Sequence, residues 1–372
     1  MSTSNTPVKI RVCEPDISEL EIKYVTEAIR KTEISSIAPP VRKLENAFAK
    51  KFGVKHAVAV NSGGSALFLA LKALGIGPGD EVILPDFTMI ATAAAVSHCG
   101  ATPVFVDSSE RSFNIDPAKI EEKITSRTRA IMPVHLYGEP CEMETIMEIA
   151  KKHKLLVVED AAEAHGAKYK NKLVGTFGNA NCFSFYANKI MTSGEGGMIV
   201  TENDELAEKL RHMRGYDFDD EKHFWHRTIA WNLRMSALSA ALGLAQLERL
   251  DELIEKRRAN ARYYMNGLKN IPGMRLFPEP KNTFSVFWMF GILAPRSKEL
   301  ITFLAQNGIE TRIFFIPMHI QPIYQHLPRK ENDFRWSDQY GEKGLYLPSS
   351  SQLRNEEKDY VIGKIQEFYG KN

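Results

Sequence analysis

The chain of 372 residues has little cysteine, almost no net charge and no long apolar run. Its four cysteines, Cys13, Cys99, Cys141 and Cys182, are widely scattered and form no C-x-x-C pair. That spacing argues against a disulfide framework and against a cysteine metal site. Lys and Arg number 48 against 46 Asp and Glu, a net charge of +2. So small a surplus excludes nucleic acid or an anionic membrane as the main electrostatic partner. No apolar run approaches the roughly 18–20 residues that span a bilayer. The start, M-S-T-S-N-T-P-V-K, lacks the apolar core of a signal peptide. There is no internal repeat and no low-complexity tract. The expectation is a cytoplasmic protein of enzyme size with reduced thiols, long enough for two domains.

What is present is a periodic chain. Residues 1–10 read as a loose arm. Asp16 reads as a helix cap with Glu19 as its capping-box partner, and Ile22, Val25 and Ile29 follow at helical spacing. The stretch I-S-S-I-A-P-P (34–40) breaks that helix, and 42–52 forms another. From residue 57, short apolar runs alternate with helical stretches: 57–60, 81–84, 103–106, 130–134 and 155–158, separated by helices such as 65–74, 88–98 and 142–153. This alternation predicts an α/β fold with a mainly parallel sheet covered by helices on both faces. Ligands then bind at the carboxyl ends of the strands. A hairpin is expected over 170–178, a helix over 203–214, and one long helix over about 237–268. The remainder reads as α+β, with a strand over 284–293, a helix over 297–306 and an extended stretch over 309–315.

The residues after the strands carry the chemistry. N-S-G-G-S-A-L (61–67) is a glycine turn opening a helix, which suits an anion or serves as a plain connection. P-D-F-T (85–88), H-L-Y-G (135–138) and E-D-A-A-E-A-H-G-A (159–167) follow other strands. The stretch N-C-F-S-F-Y-A-N-K-I-M-T-S-G-E-G-G-M-I-V (181–200) places Lys189 between a polar–aromatic run and three glycines. A lysine amine has an ordinary pKa of about 10.4 and becomes a nucleophile when its surroundings disfavour the charge. The glycines allow close backbone approach. They do not form a dinucleotide fingerprint, because Ile199 stands where the third glycine belongs.

The segment S-F-x-x-N-K-x-x-T-S-G-E-G-G-M resembles the lysine segment of the DegT/DnrJ/EryC1/StrS family, nucleotide-sugar aminotransferases that use pyridoxal phosphate (PLP). The likeness extends over nearly the whole chain. It implies fold-type I architecture: a large domain over 1–245 with a mainly parallel sheet of the seven-stranded type, and a smaller α+β domain over 246–372. It also implies that Lys189 carries the cofactor as a Schiff base and that Asp160 pairs with the pyridine nitrogen. Gly63, Gly64, Ser65 and Ser184 would hold the phosphate, although relatives usually carry threonine where this chain has Gly64. Phe87 would stack on the ring. Glu163 would lie beside the phenolic oxygen, where many relatives have glutamine. Near Ala38 relatives usually have glycine. His135 is assigned no catalytic role, and His165 shapes its turn.

Asn232, in the family's N-x-R-M stretch with Arg234 and Met235, would reach the phosphate in the neighbouring subunit, making a homodimer obligatory. P-M-H-I-Q-P-I-Y (317–324) resembles the substrate-side loop. Arg312, His319 and Tyr324 are candidates to line the sugar-nucleotide site, and packing would explain each as well. The implied reaction moves the amino group of L-glutamate to a nucleotide-linked keto sugar. C-E-P near the start, A-E-A after Asp160, T-S-G-E-G-G-M and W-H-x-x-I-A-x-N-x-R-M point to GDP-4-keto-6-deoxy-D-mannose, aminated for surface polysaccharide. A UDP- or dTDP-linked keto sugar is the alternative. A dehydratase branch has histidine in place of the lysine, and Lys189 argues against it. A non-catalytic regulator would be expected to lose Lys189 or Asp160, and both are present.

Overall fold

Apolar runs of four or five residues become the strands of a seven-stranded sheet in the computed structural model, which describes residues 9–218, 222 and 224–370. Residues 1–8 of the expected arm lie outside the described residues. In chain order the first strands are β1 (His56–Val60), β2 (Glu81–Pro85), β3 (Thr102–Val106), β4 (Thr128–Ile131) and β5 (Leu156–Asp160). The short β6 (Lys168–Tyr169) and β7 (Lys172–Leu173) pair with each other, and β8 (Ala180–Ser184) and β9 (Gly197–Thr201) return to the main sheet. Its order is β1-β9-β8-β5-β4-β2-β3. Pairing is parallel from β8 through β3, and β9 runs antiparallel to both of its neighbours.

Both faces of the sheet are buried, as in a parallel sheet clad by helices. In β1, Ala57 and Ala59 belong to one core while Val58 and Val60 belong to the other. The helices begin with α1 (Glu19–Arg30), α2 (Pro39–Phe52), α3 (Gly63–Ala73), α4 (Ile90–His98), α5 (Met143–His153), α6 (Asp204–Met213) and α7 (Ala237–Glu248). Apolar residues of α2, α5 and α7 fill the first core, and those of α3, α4 and α6 fill the second. α2 starts three residues before its expected position because Pro39 takes the first helical place, where a missing N–H is harmless.

Next come α8 (Leu250–Leu268), β10 (Arg275–Leu276), β11 (Thr283–Phe284), β12 (Phe290–Leu293), α9 (Ser297–Gln306), β13 (Arg312–Ile313), α10 (Arg335–Lys343), β14 (Gly344–Leu347) and α11 (Asn355–Phe368). An antiparallel sheet of order β10-β12-β14-β13 packs against α8, α9 and α11. The N-terminal segment crosses to this sheet: Ile10 bridges Ile309, and Ser349 donates its N–H to the Val12 carbonyl at 2.8 Å.

Three expectations change. The expected strand over 284–293 is two strands in two sheets, β11 with β6 and β12 with β14, separated by the left-handed Phe287 (φ 46°). The single helix over 237–268 breaks at Arg249 (φ −94°, ψ 1°) into α7 and α8. The cap of α1 is Ser18 with Glu21 as box partner, not Asp16 with Glu19. Asp16 and Glu21 instead take the Arg249 guanidinium at 2.7 and 3.0 Å, so the helix break and the N-terminal segment are tied through one arginine.

Burial would raise the carboxyl of Asp16, but hydrogen bonds from Arg249 and Ser351 and the charge of Lys256 hold it below its ordinary value. Glu21 is lowered similarly, its burial outweighed by bonds from Ser18, Gln246 and Arg249. Carboxyls depressed on folding stabilise the fold above their unfolded pKa of about 4, and that contribution is lost as pH falls through the folded values. Arg249→Ala should therefore cost about 1–3 kcal/mol near neutral pH, between the values for an exposed and a fully buried ion pair, because Arg249 is half-buried. Urea unfolding at a series of pH values checks this. The gap between parent and variant should close below about pH 4, and a gap constant with pH would assign the loss to packing alone.

Candidate active site

Strands β1, β5 and β8 end on the same side of the sheet, and the chain beyond each end contributes to one cluster. After β1, the Ser62 hydroxyl accepts the N–H of Ser65 at 3.0 Å and caps α3. Ser65 also receives a hydroxyl bond from Ser62 at 2.9 Å. The N–H groups of Gly63 and Gly64, in the first turn of α3, have no intrahelical acceptor. Ser184, at the end of β8, lies against this turn. A Cβ on Gly63 would stand 2.6 Å from Ser184 Cβ and 2.9 Å from its Oγ, so only glycine admits the serine there.

Asp160 ends β5 and pairs in register with Cys182, two residues before Ser184. Its carboxylate is buried and accepts Thr92 Oγ1 at 2.8 Å and the Ala162 N–H at 3.1 Å. Burial raises the Asp160 pKa, opposed by these bonds and by the charge of Lys189. Glu163 follows one turn later. It accepts the N–H of Tyr137, whose left-handed backbone (φ 54°) turns that group inward, at 2.8 Å. Its other oxygen lies 3.4 Å from Lys189 Nζ. Burial raises the Glu163 carboxyl too, against the charge of Lys189.

Lys189 sits in the turn beyond Ser184, its N–H donated to the Tyr186 carbonyl at 2.9 Å. Its Nζ stands 4.0 Å from the centre of the Trp288 ring. The loop needs its glycine at 196, where a Cβ would meet Met235 Cε at 2.3 Å. His165 is enclosed nearby, and burial, then the charge of Lys189, lower it to about 3, so its imidazole is neutral. His135 is a structural histidine: Cys141 donates to Nδ1 at 3.0 Å, so Nε2 carries the proton that Glu159 accepts at 2.9 Å. Glu159 is further enclosed by the N–H groups of Gly175, Phe177 and Gly178.

The other expected site residues lie as follows. Phe87 is fully buried among Phe113, Tyr137, Phe314, Phe315 and Tyr340. The exposed side chains after β2 are Met89 and Ile90, 46% and 39% exposed at the start of α4. Stacking on Phe87 would require displacing part of that aromatic cluster. Asn232 is exposed and bridges Gly215, and its neighbour Leu233 accepts the N–H of Asn61 at 2.8 Å. Arg312 is exposed on β13, 3.3 Å from Glu310. His319 is buried, its ring 2.7 Å from Asp86 and 3.3 Å from Asp338. Tyr324 is buried against Phe105, its hydroxyl 3.2 Å from Ser97. Both His319 and Tyr324 line a cavity beside edge strand β3 with Lys123 and Arg329. Thr92, Tyr137 and Trp288 touch the cluster and were missed. Thr92 stands one helical turn from Thr88, a weak signal, and Trp288 lies in an apolar run that reads as core.

These groups fit PLP. A lysine amine can bind its aldehyde, and a cationic ring nitrogen would offset the burial that disfavours the charged form of Asp160. A helix N-terminus with two free N–H groups beside a serine suits its phosphate.

A model of the DegT/DnrJ/EryC1/StrS aminotransferase family matches residues 15–366. The chain is 45% identical to the GDP-perosamine synthase of Caulobacter vibrioides, covering 96% of this chain and 98% of that one. It is 43% identical to the GDP-perosamine synthase of Escherichia coli O157:H7, covering 97% and 98%. The crystal structure of DesV from S. venezuelae superposes with a TM-score of 0.91 at 36% identity, covering 98% and 99%. Fold, cofactor chemistry and near full-length similarity agree: the chain belongs to the DegT/DnrJ/EryC1/StrS aminotransferase family and works with pyridoxal phosphate.

Proposed function

We propose that this enzyme aminates C4 of GDP-4-keto-6-deoxy-D-mannose with L-glutamate as donor, giving GDP-perosamine for surface polysaccharide. The observation that carries the reading is the similarity over almost the whole length to two GDP-perosamine synthases. Glu163, where glutamine is common in the family, supports the same subgroup. A dTDP-linked keto sugar is the second reading, favoured by 37% identity to the dTDP-3-amino-3,4,6-trideoxy-alpha-D-glucose transaminase of Streptomyces venezuelae.

In this reading Lys189 binds the cofactor, and Asp160 holds the ring nitrogen in its protonated state. Ser184, Ser65 and the N–H groups of Gly63 and Gly64 bind the phosphate. When bound, PLP supplies an electron sink that loosens a C–H bond beside the amino nitrogen. Lys189 Nζ, once free, would move a proton from the donor carbon in the first half-reaction and a proton to C4 of the sugar in the second, each exchanged with the bound cofactor so that the amine ends each half as it began. Glu163, 3.4 Å away, orients the amine and balances its charge. Arg312 lies at the sugar-nucleotide end, with His319 and Tyr324 fixing the loop behind it.

Asn232 reaches the phosphate of a second copy, so the working unit is a homodimer with shared sites. Support comes from Ile229, three residues before Asn232, and from Ile37, whose neighbour Ser36 accepts a hydrogen bond from Arg234 at 3.1 Å; both isoleucines are 91% exposed.

Three outcomes test the reading. Borohydride should fix the cofactor to Lys189, and Lys189→Ala should abolish amination in a panel of GDP-, UDP- and dTDP-linked keto sugars read by mass spectrometry. A preference for a non-GDP sugar would replace the substrate assigned here. Asp160→Asn keeps the shape and loses the charge, so turnover should fall by about 10²–10⁴; near-normal turnover would mean that another group supports the ring. Mixing Lys189→Ala with Asn232→Ala chains should restore activity, because one site of each mixed dimer carries neither lesion. If subunits exchange and activity stays absent, Asn232 acts within its own chain.

A further inference from the structure

Trp288 lies a hundred residues from Asn188 in the chain, between β11 and β12, yet it meets the Lys189 turn twice. Its indole N–H donates to the Asn188 carbonyl at 2.7 Å, and its ring lies 4.0 Å from Lys189 Nζ. The Asn188 carbonyl also takes the thiol of Cys13 at 3.4 Å, so the peptide just before the lysine is held from outside the main sheet. Trp288 is itself fixed. Its carbonyl accepts Arg257 Nη1 at 2.6 Å, and its ring stacks on Tyr137 at 6.3 Å with planes 22° apart. A Cβ on Gly138 would stand 2.9 Å from the backbone nitrogen of Trp288, so the chain there packs against a glycine.

We propose that Trp288 is a positioning residue for Lys189: the indole N–H sets the turn that carries the lysine, and the indole face stabilises its protonated amine. The inference rests on Lys189 being the working lysine and extends that reading to a group that holds its turn and faces its amine. An ammonium over an aromatic face is attracted by the ring quadrupole, most strongly where water is excluded. Trp288 is 2% exposed, so the contact is screened little. The titratable groups around Nζ are Glu163 at 3.4 Å, Asp160 and the neutral His165. The carboxylates favour the ammonium by charge, and Trp288 favours it without charge. A lysine that takes a proton from carbon and passes it on within each half-reaction is an ammonium in between, and that form gains from such support. Because an indole does not titrate, its contribution is constant across the working pH.

The test reads Lys189 itself. Full-length protein, both cofactor-free and in the pyridoxamine phosphate form in which Nζ is free, is labelled with acetic anhydride over a range of pH, and the Lys189 peptide is quantified by mass spectrometry. In Trp288→Leu the labelling midpoint should fall by roughly one pH unit, the size expected of a desolvated cation–π contact. In Trp288→Phe, which keeps a ring face and loses the N–H, the midpoint should stay near that of the parent while kcat falls and KM does not. Replacing tryptophan by its mono-, di- and trifluoro analogues preserves shape and N–H, guarding against a leucine variant that fails to fold. The midpoint should then drop stepwise with each fluorine. Midpoints that stay fixed across the fluorinated series overturn the proposal. If borohydride traps the cofactor on another lysine, the reading beneath it fails instead, and the two failures are separately visible.

Discussion

Two carboxylates buried beside one lysine set the terms for the rest of the structure. Asp160 and Glu163 lie three residues apart, both enclosed, and burial raises both. Leaving such groups charged without partners would cost several kcal/mol each. The surrounding elements supply those partners: Thr92 from α4, the Ala162 N–H, the Tyr137 N–H and Lys189 itself. The parallel register of β5 against β8 brings Asp160 level with Cys182 and so keeps Asp160 and Ser184 on one edge. A slip of one residue would turn Asp160 to the opposite face of the sheet.

The backbone solves a second problem by strain in a few places. Tyr137 and Phe287 both adopt left-handed conformations, uncommon for aromatic residues, and both serve the same corner. Tyr137 aims its N–H at Glu163. Phe287 reverses the chain so that Trp288 faces the lysine turn. Val286 donates to the Gly138 carbonyl at 3.0 Å, which locks the two strained segments together. Strain kept where neighbours over-determine the conformation is characteristic of functional sites.

Much of this was legible in the sequence because the signals are local. Alternating apolar runs give the strands, and the glycines around Lys189 give the turn. What escaped depends on distant partners. Asp16 looks like a cap when read beside Glu19, and partners more than two hundred residues on, Arg249, Lys256 and Ser351, explain its burial. The helix break at Arg249 has no proline or glycine to announce it. The run over 284–293 reads as one strand because nothing in its composition says that its halves pair with β6 and β14. Phe87 and Met89 are both apolar and follow the same strand; which of them is enclosed is decided by Phe113, Phe314 and Tyr340, all far away in the chain.

The contact between Gly63 and Ser184 bears on how substitutions in this family are interpreted. A position defined by an absent atom gives a misleading signal when an atom is added. Alanine at 63 would push Ser184 aside before it touched any ligand, so an effect read at position 63 would belong to Ser184 as much as to position 63. A scan by alanine thus cannot separate a residue that binds from one that makes room. At a glycine-lined cradle the informative change is made to the neighbour: Ser184→Ala removes the hydroxyl, with its bond from the Tyr186 N–H at 3.3 Å, and keeps the Cβ that rests on Gly63.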